Sequence, residues 1–164
     1  MRFLLSISCL VLCALPASAS GKKDQTGISF HLETEAGGNP KMVFQQNLSG
    51  KERYFHRTPE ISTRDILAFS PFPSEEEGTY GVVLQLSQRG KNRLAATTIA
   101  NPNRWLIAAV NGRMVDAVII DKQVTDGMLV IWKGVTLPEI KSFDKVVPRL
   151  GEDPKTWKKR LRGS

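Results

Sequence analysis

Cysteine is nearly missing from this chain of 164 residues: the two present, Cys9 and Cys13, both stand in an apolar N-terminal stretch. A domain built from the rest has no thiol for a disulfide or for a thiolate metal site. Histidine is as scarce. His31 and His56 fall in or beside expected strands, where a solvent-facing position is the ordinary one. Zinc would want a third ligand of His or Cys type, so no metal is expected. Asp116, Asp121 and Asp126 recur every five residues, without the close D-x-D-x-D-G spacing of a calcium loop. The serines lack a Gly-x-Ser-x-Gly elbow. Gly37-Gly38 precedes a strand rather than the helix a phosphate loop requires. Glu75, Glu76 and Glu77 repel one another on a loop and point into solvent. These shortages exclude the common catalytic constellations, so no catalytic residue and no cofactor is expected, and the chain is not expected to be an enzyme.

Long hydrophobic runs are also lacking, apart from Phe3 to Leu15. That run is shorter than the roughly 20 residues a spanning helix needs. Arg2 precedes it, Pro16 follows it, and Ala17-Ser18-Ala19 offers small residues for cleavage. Residues 1–19 therefore read as a secretory signal peptide, cleaved near Ala19. Its removal takes both cysteines and leaves 145 residues, enough for one domain with a single core. A chain without disulfides in an oxidising compartment suits a periplasmic or extracellular location, in a bacterial setting. No transmembrane segment is expected in the mature form.

Acidic residues are outnumbered, 16 against 23 Lys and Arg, for a net charge of +7. Much of the excess is local, because Lys155, Lys158, Lys159, Arg160 and Arg162 lie in the last ten residues. Such tails are ordinarily solvated, and a weak contact with an anionic surface is the partner this one allows. Aromatics are few, at 7%. Nucleic-acid binding would want them interleaved with cations on one sheet face. Trp105, Trp132 and Trp157 are far apart, and core packing in strands accounts for the first two, so no nucleic-acid partner is expected. Trp157 among the tail cations suits an interfacial or peptide contact, or docks the tail on the domain.

What is present is the patterning of a small α+β domain. Residues 20–27 read as a disordered leader and 28–148 as one domain, followed by a basic tail over 149–164. Ile28 to Glu33 alternates apolar and polar side chains, the period of a half-buried strand. A turn at Gly37 to Pro40 leads to a returning strand at Met42 to Phe44, closed by a turn at Asn47 to Gly50. Ile61 to Ile66 reads as a short helical turn with Ser62 as cap, and Leu67 to Phe72 as a strand. Tyr80 to Leu86 has strand composition. Ser87 is a cap candidate for a helix over Gln88 to Ala100, whose stripe is Leu94, Ala95, Thr98 and Ile99. Pro102 stops that helix. Trp105 to Val110, the Asn111-Gly112 turn and Met114 to Ile120 form a hairpin. A strand at Met128 to Trp132 and a helix over Leu137 to Val147, with Pro138 in its first turn, complete the domain. The fold class is α+β: an antiparallel sheet with one or two helices on one face.

The order of these pieces carries a resemblance. The strand Val82 to Leu86 is followed by the helix start Ser87-Gln88-Arg89-Gly90 and the helix end Leu94 to Thr98. The hairpin Leu106 to Val115 continues through Val118-Ile119, and Val124-Thr125-Asp126-Gly127 leads to Ile131-Trp132-Lys133-Gly134. Residues 78–143 thus resemble the head subdomain of the first periplasmic domain of SecD, the membrane-anchored Sec translocation factor. The resemblance implies a SecD-head-like fold, here in a stand-alone exported protein. Residues 28–60 match no part of that family. The function expected is a non-enzymatic binding or scaffolding module of the cell envelope with a polypeptide partner, contacting chains in protein export through sheet edges or faces. Phe69, Phe72, Tyr80, Trp105 and Trp157 are the binding residues expected. Alternatives are a small periplasmic hydrolase using His31 or His56 with carboxylates, and an envelope structural protein attached through its basic tail.

Overall fold

A computed structural model describes residues 27–37 and 39–162. The expected signal peptide and nearly all of the leader lie outside the described residues. The chain runs β1 (Ile28–Thr34), β2 (Val43–Leu48), β3 (Lys51–His56), β4 (Ile61–Ser62), β5 (Ile66–Pro73) and β6 (Tyr80–Leu86). It continues as α1 (Gln88–Ala100), β7 (Trp105–Val110), β8 (Arg113–Ile119), β9 (Met128–Val135), α2 (Leu137–Phe143) and α3 (Pro154–Arg162). The α+β expectation holds, and every strand ladder is antiparallel.

The strands divide between two sheets. The larger has the order β2-β3-β1-β7-β8 with β4 also beside β1, and the smaller has the order β5-β6-β9. All the elements of the resemblance are present, but β6 and β9 pair with each other while the β7–β8 hairpin belongs to the larger sheet. Inner faces meet in one core: Phe30, Leu106 and Val110 from the larger sheet, and Val82, Leu84 and Ile131 from the smaller. Leu94 of α1 and Phe143 of α2 join it. The other face of the larger sheet is covered by its own β2–β3 hairpin, where Leu48 and Phe55 pack on Ile107.

Several expectations are corrected. β3 was not expected, because Lys51, Glu52 and Arg53 look like loop. These three pair with β2 alone, while only Tyr54 and Phe55 also pair with β1, so the charges sit where the strand has one open edge. Its turn is Ser49-Gly50, with positive φ at both residues (53° and 78°), the conformation a two-residue hairpin demands. The buried stripe of α1 is Gly90, Leu94, Thr97 and Thr98. Ile99 is 62% exposed, since the face containing 90, 94 and 97 turns it away. α2 stops at Phe143, four residues early. Trp132 is 59% exposed, not core: Leu129 and Ile131 take the inner side of β9, so alternation sends Trp132 outward.

Local polar bonds fix the layers. Ser87 accepts from Gly90 N–H at 3.2 Å and caps α1. Asp65, 5% exposed, accepts from the Ser62 backbone N–H and hydroxyl and from Arg93 of α1. The chain after α2 then runs beside β5. Phe69 N–H donates to Pro148 O at 3.1 Å, and Leu150 N–H to Phe69 O at 2.8 Å, so part of this sheet edge is covered.

Candidate functional site

β8 and β9 end their respective sheets side by side, and no ladder joins them. At one end side chains and a glycine close the seam. Trp132 N–H donates to Asp116 Oδ2 at 2.7 Å, and Arg113 Nη2 donates to Gly134 O at 2.9 Å. A Cβ on Gly134 would lie 2.7 Å from Val115 O, so only glycine lets the backbones come this near. Toward the other end the edges part around a groove of about 590 Å³. Val118, Ile119, Val130 and Trp132 line it along the two strands, with Leu106 and Ile120 behind.

The main chain of β9 gives this groove its chemistry. Alternate residues of a strand turn N–H and C=O to opposite edges. Trp132 N–H points across the seam to Asp116, so the N–H and C=O of Val130 face the same way, where β8 offers no pairing. An apolar groove with unpaired peptide groups on its wall is suited to an extended polypeptide, which supplies both complements at once. Trp132 continues the surface outward. It meets Phe72 edge-on with centroids 6.2 Å apart, and Phe72 lies over Gly81, whose missing side chain leaves room for the ring.

The five residues expected to bind do not converge. Phe69 is 1% exposed, in the core, against Phe143 and beneath the Arg149 guanidinium. Tyr80 packs half-buried on the core. Trp105 lies on the second cluster beneath Arg53. Trp157 of α3 is half-buried and donates its indole N–H to Asp144 O at 2.8 Å. Phe72 alone of the five touches Trp132 beside the groove. Asp116 was weighed from sequence only as part of a calcium loop, and neither it nor Ile119 nor Val130 was among the binding residues expected. The run Met128 to Trp132 is apolar throughout, so only its alternation with Leu129 and Ile131 marks Trp132 as outward, and that requires knowing which side is core.

A second cleft, about 520 Å³, opens between the β2–β3 hairpin and β7–β8. His31 is half-buried there rather than solvent-facing, because the hairpin folds over it. Its Nδ1–H donates to His56 O at 2.8 Å, and its Nε2 lies 2.8 Å from Ser29 Oγ. Burial pushes its pKa below the ordinary 6.5, against the raising effects of His56 O and of the Glu60 charge. The neutral ring thus accepts from the Ser29 hydroxyl. Phe44, Met114 and the exposed Arg57 share this cleft. Among the described residues no group of three or more His, Cys, Asp and Glu is placed to hold a metal, and no helix is long and apolar enough to cross a membrane.

Among solved structures the chain is similar to the crystal structure of SecDF in super-membrane-facing form. The TM-score is 0.49 at 16% identity, over 70% of this chain and 17% of that one. It is also similar to a structure of SecDF as a membrane component that enhances protein export. There the TM-score is 0.49 at 16% identity, over 79% of this chain and 68% of that one. The chain thus spans about a sixth of the first of these, by the 17% coverage. No family model matches the sequence, and no curated protein matches it.

Proposed function

We propose that this chain is a non-enzymatic binding module that captures extended, apolar polypeptide segments in the seam between β8 and β9. The observation that carries it is the pairing of an exposed Trp132 with the unpaired Val130 peptide groups on one groove wall. A bound strand would lie along the parted stretch beside Val130. It would hydrogen-bond to β9 while alternate side chains enter the apolar lining. A role in protein export is the finer part of this reading; it is suggested by the resemblance of residues 78–143 to the SecD head and rests on this same capture. The test is titration of the purified chain with a short alternating apolar peptide, read by Trp fluorescence. The same peptide N-methylated at alternate amides cannot add as a strand. Tight binding of the first, and loss on N-methylation or in Trp132→Ala, is the expected result. Equal binding of both peptides, or of neither, would sink the proposal.

The hydrolase alternative keeps one observation in its favour, the Ser29–His31 pair in its cleft, in which a neutral imidazole accepts the serine proton. Glu60, whose charge acts on the ring, is not among the residues lining the cleft, and no other carboxylate lines it. Covalent labelling of Ser29 by a fluorophosphonate, abolished in His31→Asn, would establish that reading; an unlabelled Ser29 would remove it.

A further inference from the structure

The seam leaves α3 unexplained. Lys155, Lys158, Lys159 and Arg162 follow one another at i, i+3, i+4 and i+7, which places all four on one face of that helix. All four are exposed, and none has a hydrogen bond or ion pair among the described residues. Arg160, off that stripe, is instead tied to Glu152 at 3.1 Å. The half-buried side chains of the helix are Trp157 and Leu161, and Trp157 is held to Asp144 O. Asp153 accepts from the Thr156 N–H and hydroxyl at the start of the helix. The helix is therefore docked by its apolar side with its cations turned out.

We propose that this surface docks the protein on an anionic lipid bilayer, through charge and without insertion. The tryptophan that would enter the headgroup layer is spent on the domain, so attraction rests on the cations and is screened by salt. A nucleic acid also carries phosphates, but the stripe offers no outward aromatic on which a base could stack. Three of its four members are lysines, point charges without the guanidinium fork that reads phosphates in a fixed geometry. A fluid plane of headgroups makes no such demand.

The purified chain is sedimented with vesicles of phosphatidylcholine, with and without phosphatidylglycerol, at low and at high salt. Binding to the anionic vesicles alone, lost at high salt, is expected. Each cation removed from the face that meets the bilayer lowers partitioning about fivefold. The combined Lys155→Gln, Lys158→Gln, Lys159→Gln and Arg162→Gln variant therefore loses on the order of a hundredfold or more, with its thermal transition unchanged. A control with Lys41, Lys51, Arg89 and Lys133 changed to Gln removes equal charge elsewhere and retains most binding. Equal loss in the control would overturn the proposal, as would equal binding to neutral vesicles. Tighter binding to an anionic oligonucleotide at the same ionic strength would also overturn it, and would reassign the face to nucleic acid.

Discussion

Burial sorts the aromatic residues into two kinds with opposite consequences. Phe69 has neighbours on every side, so Phe69→Ala removes a packed ring and leaves a cavity, at a cost of about 3–5 kcal/mol. Trp132 meets solvent over most of its surface, and Trp132→Ala is expected to cost under about 1 kcal/mol while removing most of the peptide contact. Urea denaturation of both variants checks the contrast. His31 makes a further prediction at this scale. Its folded pKa lies below 6.5, so between the two values the unfolded chain binds the extra proton. The stabilising contribution is present above 6.5 and is lost as the pH falls through that interval. The urea midpoint should decline below this pH in the parent chain and decline less in His31→Asn. Identical pH profiles would show that the ring titrates alike in both states.

At the scale of elements, the seam owes its shape to one glycine as much as to any side chain. Gly134 has φ +82°, and a Cβ there would press on Val115 O, a backbone atom that cannot swing aside. Gly134→Ala should cost about 1–3 kcal/mol, combining left-handed strain with the clash. It should also part the closed end of the seam, shifting Trp132 emission to the red. Gly112, at φ +78° with open space around it, is the control: its Ala variant carries the conformational strain alone, about 1 kcal/mol. Equal losses at the two sites would mean that the Val115 contact has no weight. Asp116 complements the glycine by accepting the Trp132 N–H, and Arg113 by donating to Gly134 O, so side chains rather than a ladder hold the closed end.

For the whole molecule, the C-terminal segment decides which sheet edges stay open. Pro148 and Leu150 bond to Phe69, and Arg149 lies over its ring while bonded to Asp144 at 2.7 Å. Ending the chain at Val147 should uncover the β5 edge, lower the melting temperature and produce concentration-dependent association. Ending it at Glu152 removes α3 but keeps these bonds, and should leave a monomer. Light scattering at several concentrations separates the two, and matching behaviour would deny the segment its covering role.

Most strands and the starts of α1 and α2 were legible in the chain itself, because they rest on local rules, whereas α3 was read only as a basic tail. Alternation marks β1, Asn111-Gly112 dictates a hairpin, Ser87 caps α1, and Pro102 ends it. The charge stripe of α3 was half legible: the cations at 155–162 and a docked Trp157 could be read from the chain, but not the helix that gathers those cations on one face. What the sequence by itself could not determine is which neighbours each strand takes, since pairing joins residues as distant as Ile28 and Val110. Only the tertiary structure separated β8 from β9, left Val130 unpaired and sent Trp132 outward. Those outcomes depend on how two sheets divide one core, and a single apolar run is compatible with either side of it.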